Sequence, residues 1–457
     1  MNRKNTIFKL IRIIGDITFV NLSFVIAFYL RFFNLPMTNV SAYLEQIPYI
    51  SIFTVLLFHL YSLYSNQLKK DYADIFYAFI PSSLIIMFFS VTLSYFFQTY
   101  EFPRSVFLLV LPIMITLMIG WRYLTLKIEK SFSDPDRIVI IGQGDETVKI
   151  VKNIKAGTNG GYDITDVFFE NNPVEEINNL DINDEFNVRT GFINLYESLR
   201  KIDPDLVFIS GNLDESIKKD LFYHSLEEEW EANLVPDFYE IMLSGSELEQ
   251  VGELPVFEMK RLNGNPNRIL KRIFDIFISL VGLIVSLPFT IPAAIAIKLE
   301  SNGPLFFRQQ RISKNGDLFD VLKFRTMVNN AEKKTGPVLA TKNDSRVTKV
   351  GKVLRKTRID EIPQLINVLK GDMSLIGPRP ERPHFVEQFE EKIQDYKYRH
   401  RIKSGVTGLA QVFGYYSTDP EDKLRLDLLY ANKASIVFDL KIVLHTIKVM
   451  FMGHKAS

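Results

Sequence analysis

The residues with the clearest capacity for chemistry lie between Arg355 and Glu381, in the run RKTRIDEIPQLINVLKGDMSLIGPRPE. It sets an adjacent acid pair, Asp360 and Glu361, among Arg355, Arg358 and Arg379. Carboxylates beside many cations suit metal-assisted chemistry on phosphates. Asp360 also has a plainer reading. Asp-Glu-Ile-Pro ahead of an apolar stretch predicts a helix that opens at the acid pair, carries Pro363 in its first turn and stops at Gly371. An Asp there is a preferred N-cap, and a Glu suits the helix dipole. The same place would keep Asp360 ionised and favour an incoming phosphate. Spacing alone leaves cap and catalyst as equal alternatives. Neighbouring residues on a helix face different ways, so the two acids are expected to have different roles.

The candidate cations extend beyond this run. Pro378 and Pro380 bracket Arg379 and fix the backbone on either side, which lowers the entropy lost on binding. Arginine suits bidentate phosphate recognition, although a rigid turn with a solvated arginine is the alternative. Lys323 and Arg325 fall at the end of a strand predicted over Phe319–Phe324, and Ser345–Thr357 reads as a basic helix. Arg401 precedes the glycine-punctuated stretch SGVTGLAQVFG, which could approach a nucleotide or simply turn the chain.

These residues sit in a chain of 457, long enough for two or three domains. Its near-zero net charge hides an asymmetry. Residues 131–260 hold 28 acidic against 10 basic side chains, and residues 298–401 hold 22 basic against 13 acidic. The first segment repels anionic lipids and polyphosphates, and the second attracts them. There is no cysteine, which excludes disulfides, thiol nucleophiles and Cys-ligated zinc. Six histidines without HExxH spacing argue against a zinc hydrolase.

Four apolar stretches, Ile7–Tyr29, Ile47–Tyr64, Phe76–Phe97 and Ser105–Leu124, are each long enough to cross a bilayer as a helix. The first carries Asp16 and Asn21 and no small-residue cleavage site, unlike a cleaved signal peptide. Arg3, Lys4, Lys69, Lys70, Arg122 and Lys127 fall on one side and Arg31 and Arg104 on the other. The positive-inside rule then puts the N-terminus and everything after Leu124 in the cytoplasm.

From Arg137 the pattern becomes α/β. Arg137–Gly142, Thr165–Phe169 and Leu206–Ser210 read as strands and Val148–Ile154 as a helix, giving a doubly wound domain that ends near Glu258. Its first loop is a partial dinucleotide fingerprint: Gly142 and Gly144 match, but Thr147 replaces the third glycine. Ile269–Leu299 is a fifth apolar segment. Pro288 and Pro292 interrupt its middle, and basic residues flank both ends. Those flanks favour a broken helix that enters and leaves on one face, with the break at Pro288. Ala434–Met452 reads as an interfacial amphipathic helix with Asp439, Lys441, His445 and Lys448 gathered on one side.

The elements KRIFDI, GPLFFRQQR, FDVLKFRTM, VGKVLRKTRIDEIPQLINVLKGDMSLIGPRPE and SGVTGLAQVFGY, in order over Arg268 to Leu440, resemble the bacterial polyprenyl-phosphate hexose-1-phosphate transferases of the large monotopic type. The resemblance implies a membrane protein in three parts. These are a four-helix transmembrane region (residues 1–130), a Rossmann-like α/β domain (131–260) and a catalytic α/β domain with a re-entrant helix at about 269–299 and interfacial helices (261–457). It implies transfer of sugar-1-phosphate from a UDP-sugar to undecaprenyl phosphate, releasing UMP and starting a surface polysaccharide at the bacterial inner membrane. It makes Asp360 the nucleophile that carries the phosphosugar and Glu361 its metal partner or positioning acid, with Mg2+ shared by the pair. Arg379 becomes a phosphate ligand, with Lys323, Arg325, Arg355, Arg358 and Arg401 as further substrate-binding candidates. The family's Ser-Pro pair at the helix break is Ser286-Leu287-Pro288 here.

Two other classes compete. One is a nucleotide-sugar oxidoreductase or epimerase centred on the middle domain, and the other is a non-enzymatic membrane scaffold or nucleotide sensor. No nucleic-acid partner is expected. The middle domain lacks a catalytic constellation, which suggests a homodimer as its assembly.

Overall fold

The computed structural model describes residues 3–452 apart from 36, 66–67, 98–103, 158–159, 172–185, 229, 260–261, 263–266, 329–343, 345 and 415–417. The chain divides into two compact units, residues 1–237 and 238–457.

The first unit opens with helices α1 (Arg3–Phe32), α2 (Met37–Leu60), α3 (Tyr72–Phe96) and α4 (Arg104–Phe132), each long and apolar enough to cross a membrane. The side chains of Arg3, Lys4 and Arg104, used above to orient the spans, lie outside the described residues. Polar groups lock α1 to α4. Arg122 pairs with Asp16 at 2.8 Å with neither side chain exposed, and Arg12 pairs with Glu129 at 3.2 Å. Charges this deep persist only when paired.

A five-stranded sheet follows: β1 (Asp136–Gly142), α5 (Gly144–Gly157), β2 (Tyr162–Phe169), β3 (Asn187–Thr190), α6 (Leu195–Ile202), β4 (Leu206–Ser210), α7 (Glu215–Glu227) and β5 (Glu231–Val235). All its pairings are parallel, in the order β3-β2-β1-β4-β5. Side chains of β1 alternate between two cores. Val139 and Ile141 join one with Leu199 and Leu221, and Ile138 and Ile140 join the other with Val148 and Val151. Burial on both faces explains why this strand reads as a continuous apolar run. The edge strands NVRT, mostly exposed, and EANLV, half-buried at best, carry no such signal and were not expected.

The crevice where strand order reverses, between β1 and β4, is where a doubly wound sheet would take a ligand. There a Cβ on Gly142 would sit 2.3 Å from the Thr147 hydroxyl, so only glycine leaves room for that threonine, and Ser210 donates a hydrogen bond to Glu146 at 3.0 Å.

The second unit contains α8 (Phe238–Leu243), a hairpin of β6 (Glu247–Val251) and β7 (Leu254–Glu258), and the 33-residue helix α9 (Arg268–Glu300). A second hairpin pairs β8 (Phe306–Ile312) with β9 (Leu318–Phe324). Then come α10 (Lys349–Lys356), a 3-10 turn over Ile359–Glu361, α11 (Gln364–Lys370), β10 (Ser374–Ile376), α12 (Pro383–Lys392), a 3-10 turn over Tyr396–Arg401, β11 (Gly405–Thr407), α13 (Leu409–Phe413), α14 (Pro420–Lys433) and α15 (Ile436–Phe451).

Where a break was expected the chain stays helical: α9 is one element from Arg268 to Glu300 with Pro288 and Pro292 inside it, since a proline can bend a helix without ending it. Ser286 donates its hydroxyl to the Leu283 carbonyl at 2.9 Å, one turn before Pro288. Most of α9 is uncovered apolar surface, including Phe277, Val285, Phe289 and Ile291. Both ends are gripped by the same stretch of chain. Arg272 donates to the carbonyls of Val368 and Leu369, at 2.6 and 2.8 Å. At the far end Glu300 accepts from the amides of Lys349 and Val350, at 2.7 and 3.0 Å.

Helix α15 is also arranged differently from expectation. Its polar residues Asp439, His445 and Lys448 are buried against the domain, while Val437, Met450 and Phe451 are exposed. Asp439 turns inward because Lys271 and the Tyr430 hydroxyl are there to meet it, at 3.1 and 2.8 Å.

Candidate active site

The acid pair stands in the short 3-10 turn between α10 and α11, both of which pack on α9. Arg358 opens this turn in the left-handed region, φ 55°, and no side chain caps it. Asp360 is therefore not the N-cap of the following helix. The cap position of α11 belongs to Pro363, and its other end closes on Gly371 at φ 96°. Ser345, the expected start of the basic helix, lies outside the described residues, and α10 begins instead at Lys349, behind Thr348, whose hydroxyl accepts from Gly351 N.

The two acids have opposite surroundings. Glu361 Oε1 accepts from Lys323 Nζ and from an Arg379 terminal nitrogen, each at 2.8 Å. Burial would raise its pKa, but Arg379 and then Lys323 hold it well below the usual carboxylate range. Asp360 is 8% exposed, and no hydrogen bond to its carboxylate is found among the described residues. Burial first, then the Glu361 charge, push its pKa up to about 6, against the pull of Lys323, Arg355 and Arg379.

Of the predicted cations, Lys323 and Arg379 meet the pair directly. Arg355 lies close enough to act on Asp360 by charge while donating to the Thr326 hydroxyl at 2.9 Å. Arg358 is partly buried beside both acids. Arg325 points elsewhere: it is buried and donates to the carbonyls of Ser301 and Asn302, where α9 ends. Arg401 is exposed at the close of its 3-10 turn, with no contact to the acids among the described residues. Arg379 keeps 44% of its side chain exposed, so its outer face is open to a ligand.

Sequence reasoning missed Arg311 and Gln364, which line a small cavity with Val321, Lys323, Arg379 and Pro380. Arg311 was in sight, in GPLFFRQQR. Burial, chiefly, lowers its pKa to about 10. The glycine-punctuated loop also has its explanation. A Cβ on Gly405 would lie 2.1 Å from Gly377 N, and one on Gly408 would lie 2.2 Å from Gly377 O. These glycines let β11 press against the loop carrying Arg379, so the close approach is to protein backbone.

A buried carboxylate with no hydrogen bond, next to an ionised one, suits a magnesium ion that takes one or two carboxylates and completes its shell with substrate phosphates and water. No group of three or more acid or histidine ligands exists among the described residues, so an all-protein metal cage does not fit.

The family described as bacterial sugar transferase matches residues 266–453. Over 190 residues the chain is 42% identical to the exopolysaccharide production protein PSS of Rhizobium leguminosarum, covering 39% of this chain and 94% of that protein. The chain belongs to the bacterial sugar transferase family. Another family relative is UDP-N-acetylgalactosamine-undecaprenyl-phosphate N-acetylgalactosaminephosphotransferase of Aeromonas hydrophila, 45% identical over 190 residues (41% of this chain, 45% of that one). A third is UDP-glucose:undecaprenyl-phosphate glucose-1-phosphate transferase of Klebsiella pneumoniae, 38% identical over 272 residues (57% and 58%). The chain thus spans about half the length of these last two relatives.

Proposed function

We propose that this sugar transferase moves a hexose-1-phosphate from a UDP-sugar to undecaprenyl phosphate, at the cytoplasmic face of the bacterial inner membrane, and so initiates a surface polysaccharide. The observation that carries the reading is the asymmetry of the acid pair. Glu361 is neutralised by Lys323 and Arg379, while Asp360 is buried and no hydrogen bond to its carboxylate is found among the described residues. An Asp360 oxygen attacks the phosphorus bearing the sugar, the bond from that phosphorus to the UMP oxygen breaks, and UMP leaves. The phosphosugar remains on Asp360 as an acyl phosphate. A phosphate oxygen of undecaprenyl phosphate then attacks the same phosphorus, and the Asp360 carboxylate departs. Two displacements replace one difficult one. Arg379, Lys323 and Arg311 neutralise the oxygens of the transferring group. Asp360 and Glu361 would hold a magnesium ion, which would neutralise diphosphate charge.

The membrane part of the reading is a re-entrant α9. A straight crossing would separate its ends by a hydrocarbon core of about 30 Å. Yet residues 349–369, rich in charge, bind both ends and would then have to run through that core. Exposed apolar residues along α9 and on the outer side of α15 suit contact with one leaflet. The first unit is read as a transmembrane four-helix bundle with a Rossmann-like domain that pairs two copies of the chain. A monomeric mass in lipid nanodiscs would count against that pairing.

The test is UMP release from a panel of UDP-sugars with undecaprenyl phosphate, without NAD. Activity that needs magnesium and falls at least ~10³-fold in Asp360→Asn is the expected result. Full turnover in that variant, or in excess chelator, would defeat the assignment.

A further inference from the structure

We infer that Arg399, held by Asp427, is a positioning residue that sets Arg379 for phosphate by gripping its main chain. The inference rests on the transferase reading, and it concerns two residues that reading leaves without a part.

The loop Gly377-Pro378-Arg379-Pro380 has an unusual problem. Its two prolines have no N–H, so the peptide groups around Arg379 cannot be fixed through donors at those positions. Carbonyls are the remaining handles, and four in succession are taken. Gly405 N donates to Pro378 O at 2.8 Å, Arg399 to Arg379 O at 3.0 Å, Arg311 to Pro380 O at 3.2 Å, and Ile312 N to Glu381 O at 3.0 Å. The grip on Arg379 itself therefore comes from a side chain.

That side chain is built to stay in place. The same Arg399 nitrogen donates to Asp427 at 2.9 Å, while its other terminal nitrogen meets the Tyr396 hydroxyl. The guanidinium also lies over the Tyr396 ring, 4.8 Å from its centroid. Arg399 is 6% exposed and Asp427 2%, too deep to touch a substrate. A planar guanidinium engages these partners from both ends, which a lysine ammonium cannot reproduce. On the far side of the loop, the Arg379 guanidinium reaches Glu361 and keeps an open face. One arginine fixes the main chain so that the other can be presented without searching.

The bland alternative is a core ion pair that only stabilises the fold. A double-mutant cycle separates the two. Arg399→Lys and, as a milder second variant, Asp427→Asn are each made in the native chain and in the Arg379→Ala chain. UMP release is measured per folded protein, with unfolding temperature recorded in parallel. If Arg399 acts through Arg379, Arg399→Lys lowers kcat/KM by about 10–100-fold in the native chain and by less than about threefold in the Arg379→Ala chain. Asp427→Asn shows a smaller loss with the same dependence on background, and answers the question alone if Arg399→Lys fails to fold. Equal factors in both backgrounds, or native turnover in Arg399→Lys, would overturn the inference. A native chain that releases no UMP with any donor would instead remove the transferase reading.

Discussion

Asp360 and Glu361 are chemically near-identical and adjacent, yet their surroundings drive them apart: one is pinned by two cations, the other is left buried with none bonded to it. This has a cost that can be measured. A carboxyl whose pKa is raised in the folded state, from 3.8 to about 6, contributes stability below its unfolded value that is lost as pH rises through about 6. At pH 7.5 the native chain should therefore be less stable than Asp360→Asn, by about 3 kcal/mol, and the gap should close below about pH 4. Turnover runs the opposite way, since the ionised form attacks. It should fall on acidification through about pH 6, and a rate that is flat from pH 5 to 8 would deny Asp360 the role of nucleophile. The sequence made the pair and Arg379 visible because their types are rare in combination. It did not make Arg325 separable from Lys323. Two residues apart, both would point to the same face of one strand, but Arg325 stands just past the end of β9, where the carbonyls of Ser301 and Asn302, just past α9, claim it.

Elements were legible wherever one periodicity ruled, as in β1 and β9. They were less so where a local contact overrode it. The acid pair reads as the opening of a helix, yet Arg358 in the left-handed region sets it in a separate turn. The polar residues of α15 read as a wet face, but Asp439 meets the Tyr430 hydroxyl of the preceding helix and Lys271, which lies far away in sequence. Prolines 288 and 292 marked α9 as unusual without saying that helix would persist through both. The path of α9 can be tested directly, because the chain has no cysteine of its own. Single cysteines at Lys152 and Asp317, both exposed, should be labelled by an impermeant reagent only after the membrane is opened. Labelling of Asp317→Cys in sealed cells would mean that α9 crosses.

At the scale of the whole molecule, the two compact units differ in charge, and the family model matches only the second. The family match lies entirely within the second, and 94% of the Rhizobium relative is covered by a match to 39% of this chain. A protein made of little else than this part therefore exists. A fragment of residues 238–457, reconstituted in lipid, should fold and release UMP within about tenfold of the full chain's rate. Loss of all activity with retained folding would assign the first unit a catalytic share.

The two grips on α9 have one more consequence. They are joined by residues 349–369, and Asp360 sits midway along that strap. Anything that tilts or flexes the helix pulls on the strap at both ends. With α9 re-entrant, as proposed, bilayer thickness would act on the reaction centre through that strap. Nanodiscs that differ only in acyl-chain length should change the rate of UMP release while leaving the soluble face of the protein untouched.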